Sequence, residues 1–594
     1  MKTVAKKMSK KTIPLTTTSV NTGLKYRWQL TDADEAAVRQ LSVQCSLSVP
    51  IARTLYARGY TTAEQVFAFL TMGEEWIADP ALLKGAVDAV DRLQRALENN
   101  EKILIFGDYD VDGITSTAIM LSCLLPLKAN INYFLPNRKR DGYGLSSKIV
   151  KKAAESGYHL IVTVDNGIGA HQAVADAKAL GLDVIITDHH QVHGGMPNAD
   201  VIVNPHQPEC PYPYKDFAGV GVIFKIMALL YARLGKELPQ KAYELLMLGT
   251  IADVVPLRDE NRYWVQRGLA HINATRSFAV QVLAGNGNVA SKAALNSRDI
   301  GFSIAPQLNA LGRLDDPRDG VTFLISTDFG HVMQVGTTLK AINEERKRID
   351  RGIFEEIVAT VENKQIDLDK ENLILAAHNE WPAGVIGLVA GKLVQQYGRP
   401  SILLHLTKDG LAKGSCRSIE AFNIFDALVE CQDFLVSFGG HACAAGLSLK
   451  QDDVPKLKEV IEARIARELT PEDLVQKLEV AAKTSLPEIN AAFVKQLQSL
   501  EPFGNANPEP VFWVEGVTLV NEPKLLKHKH VKCTVFADGV IKPLMFFNRP
   551  ELYTMLLAQK DKAFDVAATV VENEWQGRTS VELLGVDIAV QGAA

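Results

Sequence analysis

The chain contains no Cys-x-x-Cys pair. Its seven cysteines (Cys45, Cys123, Cys210, Cys416, Cys431, Cys443 and Cys533) are scattered singly. An odd number cannot close entirely into disulfides, so reduced thiols in a cytoplasmic protein are expected. No apolar stretch reaches the roughly 18 residues needed to span a bilayer. Lys2, Lys6, Lys7, Lys10 and Lys11 lead into threonines rather than an apolar core, so neither a signal peptide nor membrane association is expected. Positive charge in bulk is missing as well, because 64 Lys and Arg against 69 Asp and Glu leave a net charge of −5. Any nucleic acid must therefore be met by local basic patches. Internal repeats and low-complexity runs are absent. What the 594 residues do hold is apolar material, 47% hydrophobic against 22% charged. That excludes a mainly disordered chain and suggests about four modules at roughly 150 residues each.

Residues 1–30 read as a flexible basic tail. Residues 31–100 read as helical, with capping candidates at Thr31 and Thr62 and helix formers over Ala86–Leu97. From 101 the pattern changes. The β-branched runs Ile103–Phe106, Leu160–Val164, Val184–Thr187 and Val201–Val203 alternate with helical segments such as Thr115–Leu125 and Ala170–Leu180. Strands alternating with helices imply βαβ units, so 101–275 is assigned to an α/β domain with a parallel sheet. A connector over 276–365 includes a long helix, Gln334–Glu362. Its Arg346, Lys347, Arg348 and Arg351 either line a channel or form a solvated face. A second β/α pattern fills 366–465. Within 470–594 the short strands Val511–Val514, Val531–Phe536, Leu544–Phe547, Val566–Val571 and Ser580–Leu584 predict a small barrel, with an OB-fold as one candidate.

Acidic residues fall at the ends of the first set of strands. Asp108-Tyr109-Asp110-Val111-Asp112-Gly113, Asp165-Asn166-Gly167 and Asp188-His189-His190 each follow a strand, and in open α/β sheets such loops converge on one crevice. Asp110 and Asp112, two apart on an extended segment, are expected to point to the same side. Asp253 follows an apolar helical run that has no other need of a charge. Carboxylates crowded together repel one another unless cations sit among them. Oxygen ligands with one or two imidazoles suit Mn²⁺ or Mg²⁺. A carboxylate shared between two such ions is the arrangement that activates water against a phosphoryl group. Helix and turn capping by each Asp is the competing explanation.

These four motifs resemble those of the DHH phosphoesterase superfamily and, within it, the RecJ-type exonucleases specific for single-stranded DNA. Further matching segments are Pro136-Asn137-Arg138 with Gly142-Tyr143-Gly144-Leu145, Asn309-Ala310-Leu311-Gly312-Arg313, Gly414-Ser415-Cys416-Arg417-Ser418, Gly439-Gly440-His441 and Glu501-Pro502-Phe503-Gly504. The resemblance implies a DHH parallel-sheet lobe joined by a long helix to a smaller α/β DHH-associated lobe, followed by an OB-like β-barrel. It implies 5′→3′ removal of mononucleotides from single-stranded DNA, in recombination and repair, with two Mn²⁺ or Mg²⁺ ions. By motif position the metal ligands are Asp110, Asp112, Asp165, His189 and Asp253, with Asp165 as the bridge. Asp108 and His190 stand in or beside that shell, and His190 either orients or protonates the scissile phosphate or supports the site. Single-strand-binding protein, a RecQ-type helicase and a monomeric state are likewise implied by the resemblance alone. Two alternatives remain: another DHH hydrolase acting on oligonucleotides or cyclic dinucleotides, and a non-catalytic replication scaffold of the same fold.

Three positions depart from the family pattern. Phe106 stands where small DHH phosphatases carry a metal-binding His, Gln307 where an Arg is frequent, and Pro382 where Trp-His is common. For the substrate, Arg138, Arg313, Ser415 and Arg417 match positions resembling a pocket for a 5′-phosphate, which guanidinium forks suit, a structural salt bridge being the alternative for any single Arg. His441, after two glycines, fits either close backbone approach to phosphate or a plain turn, and Asn309, Ser418 and Gly440 are further substrate-binding candidates. Tyr143 is either a stacking platform for a base or a packed side chain. Trp513, Phe536, Phe546, Phe547 and Trp575 occur with Lys524, Lys527, Lys529, Lys532 and Arg549. They fit a single-strand-binding surface or a barrel core.

Overall fold

The computed structural model describes residues 17–137, 140–142, 144–192, 194–575 and 578–590. It comprises two compact units. One runs up to Leu339 and resumes at Leu478, and the other is Lys340–Lys477. The helix Phe329–Glu362 contains the point of division. No helix among the described residues is long and apolar enough to cross a membrane, and the seven cysteines are free.

The expected tail is ordered from residue 17 onward. Strands β1 (Thr17–Thr22) and β2 (Arg27–Thr31) form an antiparallel hairpin. The reason is Trp28, which is fully buried and donates from Nε1 to Asp587 Oδ2 at 3.0 Å. One large aromatic with a buried partner outweighs the polar composition around it. Thr31 is not a helix cap, because Asp34 accepts the Ala36 and Ala37 N–H groups at the start of Glu35–Cys45. Thr62 does cap its helix, Ala63–Thr71, in a capping box with Gln65.

The parallel sheet of the first unit contains β3 (Ile103–Phe106), β4 (Ile131–Phe134), β5 (Leu160–Val164), β6 (Asp183–Thr187) and β7 (Val201–Val203). Its order is β4-β3-β5-β6-β7 and every pairing is parallel. β3 and β5 are buried along their whole length, as apolar strands covered on both faces must be. The chain steps outward from β3 to β4 and then returns to pair β5 with the other side of β3. The switch point, and with it the crevice, therefore lies beyond the carboxyl ends of β3 and β5. Helix Val111–Leu124 packs against Gly219–Arg233 and Lys241–Ala252. On a separate core, Val150 and Ala153 meet Phe106, Ile161, Val174 and Ile186.

The second unit holds β8 (Ile374–His378), β9 (Ser401–Leu406), β10 (Leu411–Arg417), β11 (Leu435–His441) and β12 (Ala444–Lys450), in the order β11-β12-β10-β9-β8. β8 and β9 are parallel and the remaining pairs antiparallel. Helix Val454–Glu468 places Leu457, Ile461 and Ile465 in its core, one stripe of a 3.6-residue period.

The last part of the chain returns to the first unit. β13 (Lys477–Val480) joins β1 and β2. β14 (Ala482–Thr484), β15 (Phe512–Leu519), β16 (Lys524–Leu526), β17 (His530–Ala537), β18 (Val540–Phe546), β19 (Phe564–Trp575) and β20 (Arg578–Val590) form one sheet in the order β14-β15-β19-β20-β18-β17-β16. β15 also pairs with β17, and β18 pairs in parallel with β20. The core of this sheet is shared with the opposite end of the chain. Leu41, Ile51, Leu55, Val66 and Phe69 pack in one cluster with Phe493, Leu497, Phe512 and Phe564. Arg262 reinforces that union, donating to the carbonyls of Phe69, Ser499 and Leu500 with its guanidinium 3.9 Å from the Phe69 ring.

Candidate metal centre

Each strand end delivers its acid by a different local device. After β3, Asp108 accepts the Tyr109 N–H at 2.7 Å. Asp110 and Asp112 are not on an extended segment: Asp110 caps helix Val111–Leu124, and Asp112 lies in its first turn. The capping bond from the Gly113 N–H to Asp110 Oδ1 (3.1 Å) starts the helix earlier than the apolar pattern suggests. Asp112 is buried and accepts the Gly219 N–H at 2.6 Å and the Val220 N–H at 2.8 Å. After β5, Asp165 adopts φ +61°, with its N–H on the Thr187 carbonyl at 3.1 Å. Asn166 braces the turn through bonds to the Phe106 and Val164 carbonyls.

After β6, Asp188 does not face the cluster as a ligand. It accepts the N–H groups of Ile168, His189 and His190 and the His190 Nδ1 at 2.7 Å. His189 Nε2 lies 3.1 Å from Asp165 Oδ1, 3.7 Å from Asp253 Oδ2 and 3.8 Å from Asp112 Oδ2. Asp253 ends helix Lys241–Ala252. The loop after it is tied to the C-terminal segment, with Asn505 Nδ2 on the Val254 carbonyl at 2.7 Å and the Leu257 N–H on the Asn505 carbonyl at 2.8 Å.

These groups face a cavity of about 400 Å³ lined by Asp108, Tyr109, Asp110, Asp165, His190, Ala252, Asp253, Asn309 and Arg313. Asn309 also accepts the Val111 N–H at 3.2 Å. A larger cavity of about 1160 Å³ shares Ala252 and Asn309 with it and reaches Phe503, Phe547 and Leu584.

The electrostatics are those of an anion cluster awaiting cations. Burial, then Asp110, pushes Asp112 up to about 7 despite its two backbone donors. Burial, then Asp112, Asp110, Asp108 and Asp253, holds Asp165 well above the usual carboxylate range, and Asp253 is raised by burial and the same aspartates, Asp112 first. Burial, then His190, lowers His189 to about 4, which leaves it neutral and able to ligate. Burial opposes the charged form of His190, but the bond and charge of Asp188 outweigh it and raise its pKa.

The side chains fit divalent cations. Asp165 Oδ1 is sealed from solvent without a hydrogen bond. Ligand atoms cluster as Asp165/His189/His190, Asp112/His189/Asp253 and Asp108/Asp110/Asp165. Oxygen donors with neutral imidazole suit Mn²⁺ or Mg²⁺.

Phe106 is fully buried and stacks on Phe134 with centroids 5.9 Å apart, so it serves the core beside the site. Gln307 is buried too, donating to the Leu283 and Ser303 carbonyls. In the second unit, alternation along β10 puts Ser415 and Arg417 on one face and Cys416 in the core. Ser418 is occupied, its hydroxyl donating to the Phe422 carbonyl at 2.7 Å and its N–H to the Cys443 carbonyl. Gly440, at φ +144°, allows β11 and β12 to close, since a Cβ there would stand 2.4 Å from the Ala444 carbonyl. His441 pairs with Ala444 and is exposed. Arg138 and Tyr143 lie outside the described residues.

Of the C-terminal aromatics, Trp513 and Phe546 are core while Phe536 and Phe547 are exposed. The Trp575 side chain lies outside the described residues. Lys524, Lys527, Lys529 and Lys532 are exposed, whereas Arg549 is held by Glu551 and the Val586 carbonyl. Sequence reasoning missed the paired N–H donors of Gly219 and Val220. The small-residue run Ala218-Gly219-Val220-Gly221 at the head of an apolar helix was the available signal.

Family models match three stretches of the chain: DHH family, N-terminal domain, over residues 102–250; the DHHA1 domain over 370–467; and the RecJ OB domain over 480–587. The chain is 37% identical over 570 residues to the single-stranded-DNA-specific exonuclease RecJ of Bacillus subtilis, covering 95% of this chain and 71% of that protein. It is 35% identical over 511 residues to RecJ of Escherichia coli K12, covering 82% and 87%. The crystal structure of RecJ in complex with Mn²⁺ from Thermus thermophilus superposes with a TM-score of 0.81 at 27% identity, over 96% of this chain and 80% of that one. The Mg²⁺ complex from the same organism gives a TM-score of 0.75 at 26% identity, over 96% and 79%. Identity of this extent, carried through catalytic, associated and OB segments alike, means that the chain belongs to the RecJ family of the DHH phosphoesterase superfamily.

Proposed function

We propose that the chain is a Mn²⁺- or Mg²⁺-dependent exonuclease that hydrolyses single-stranded DNA from its 5′ end, releasing mononucleotides. The observation that carries this reading is the convergence of Asp108, Asp110, Asp165 and Asp253 on one small cavity, with neutral His189 against Asp165. Asp110, Asp112, Asp165, His189 and Asp253 would hold the ions, with Asp165, a member of two of the clusters, as the ligand they would share. Bound there, divalent cations supply Lewis acidity toward water and the phosphoryl oxygens. His190 has its pKa raised above that of an ordinary imidazole by Asp188 on Nδ1. Its Nε2 is thereby free to donate to a phosphoryl oxygen or to the departing 3′ oxygen. Asp108, fixed on the Tyr109 N–H, orients water at the cavity wall.

Within the second unit, Ser415, Arg417, Gly440 and His441 bind the 5′-phosphate, a role that the shared face of Ser415 and Arg417 supports; Arg138 and Arg313, in the first unit, contact phosphates of the strand. The larger cavity takes the following nucleotides. Residues 101–275 form the catalytic domain, 276–365 the connector, 366–465 the phosphate-binding domain and 470–594 the single-strand-binding domain. Matches over 102–250, 370–467 and 480–587 support this division. The C-terminal strands close into an OB barrel, a reading supported by the pairing of β15 with both β19 and β17 and by the parallel β18–β20 pair. Single-strand-binding protein and a RecQ-type helicase are the expected partners of a monomer, on family resemblance. Incubation of 5′- and 3′-labelled single-stranded and duplex DNA with Mn²⁺, Mg²⁺ or chelator tests the whole reading. Loss of the 5′ label first, only from single strands and only with metal, is expected; release from the 3′ end or activity in chelator refutes it.

A further inference from the structure

Helix Gly219–Arg233 begins against the acid cluster, and its first residue meets two members of that cluster at once. The Gly219 N–H donates to Asp112 Oδ2 at 2.6 Å, and the next N–H, of Val220, donates to Asp112 Oδ1 at 2.8 Å. Both carboxylate oxygens are thereby aimed, and each retains lone-pair capacity for a cation. A Cβ at Gly219 would stand 2.6 Å from Asp165 Cβ and 2.9 Å from Asp165 Cα and Oδ1. The obstacle is the root of a side chain, not its flexible end. Asp165 cannot swing away easily, because its left-handed backbone (φ +61°) is pinned by the Thr187 carbonyl. Gly219 itself has ordinary helical entry geometry, where alanine is the better helix former. The glycine is needed for close approach, not for backbone freedom.

We propose that Gly219 is a positioning residue of the metal centre, setting Asp112 by its N–H and Asp165 by its lack of a side chain. The inference rests on the reading of Asp112 and Asp165 as metal ligands. It is tested on the full-length protein by titrating Mn²⁺ calorimetrically into the parent and the variants Gly219→Ala, Gly352→Ala and Asp165→Asn, with the fold checked by circular dichroism in chelator. Gly219→Ala is expected to bind Mn²⁺ about 10-fold to 100-fold more weakly, the range typical for groups that orient ligands. Gly352→Ala, inside helix Phe329–Glu362 with open space around its Cβ, keeps the parent affinity. Parent affinity in Gly219→Ala together with lost affinity in Asp165→Asn overturns the inference and spares the ligand assignment. Parent affinity in Asp165→Asn removes the assignment and the inference with it. If Gly219→Ala does not fold, Gly219→Ala/Asp165→Gly removes the Cβ and Oδ1 contacts and leaves only the approach to Cα, so it should resist urea better than the single variant; a double variant no more stable than Gly219→Ala overturns the inference.

Discussion

Asp165 concentrates the demands on single residues. It is buried beside Asp112, Asp110, Asp108 and Asp253, and without cations it holds a proton that an ordinary carboxylate has long released. The sign of the pH dependence follows. Asp112, raised from 3.8 to about 7, binds more protons folded than unfolded across that interval, so the metal-free protein loses stability as pH rises through it. Cations take the protons' place. The melting temperature in chelator should therefore fall between about pH 4 and about pH 7, and the increase brought by Mn²⁺ should be larger at the higher pH; an increase that does not vary with pH contradicts the cluster's electrostatics. Asp165→Asn should lower nuclease activity on the order of 10³-fold while making the chelated protein more stable near neutral pH, because no proton need then be taken up at that buried position on folding. Calorimetry and a nuclease assay on the same preparation check both halves. Arg417→Ala should slow degradation of 5′-phosphorylated strands more than of 5′-hydroxyl strands, and equal losses would remove the phosphate pocket. The identities of these acids were legible in the sequence because each follows an apolar run. The donors that aim them were not, since Gly219 and Val220 carry no chemistry in their side chains and act only through main-chain N–H groups placed by a distant fold.

Among secondary-structure elements, the apolar strands β3 and β5 were readable to the residue because burial on both faces leaves no alternation to misjudge. β4 escaped notice: Ile131–Phe134 is short, lies at the sheet edge and is only partly buried. The start of helix Val111–Leu124 was misjudged for a different reason. Its first turn and cap hold two aspartates, which look like loop until one is seen to cap the helix and the other to be held by a second helix. Thr31 and Asp34 show the same ambiguity between neighbouring capping residues. Arg262 is an element-scale tie, joining helix Asp259–Ala274 to the carbonyl ends of Ala63–Thr71 and Ala491–Ser499. Arg262→Met would strand those buried acceptors at about 1–3 kcal/mol each. A fall in unfolding free energy of that order, read from the urea midpoint and slope, is expected, and an unchanged midpoint would show that the carbonyls find other partners.

For the whole molecule, a net charge of −5 is reconciled with a polyanionic substrate by segregation. Acids gather where cations bind, and Lys524, Lys527, Lys529 and Lys532 are exposed on the C-terminal module. Single-strand binding should weaken steeply with salt, as counterion release requires, and a salt-independent dissociation constant would contradict contact through these lysines. The modular order of the chain was legible, but the sharing of one core by its two ends was not. Amphipathic helices at 35–71 advertise an apolar face without saying what covers it. The bonds between Asn505 and the loop after Asp253 give that arrangement a further meaning. The segment that leads into the C-terminal strands also latches the last acid of the cluster. A chain cut before residue 478 would lose more than the C-terminal strands: its first helices would be stripped of their core, and the acid cluster would be left unlatched. Swapping such C-terminal modules between relatives should succeed only when the N-terminal helices travel with them.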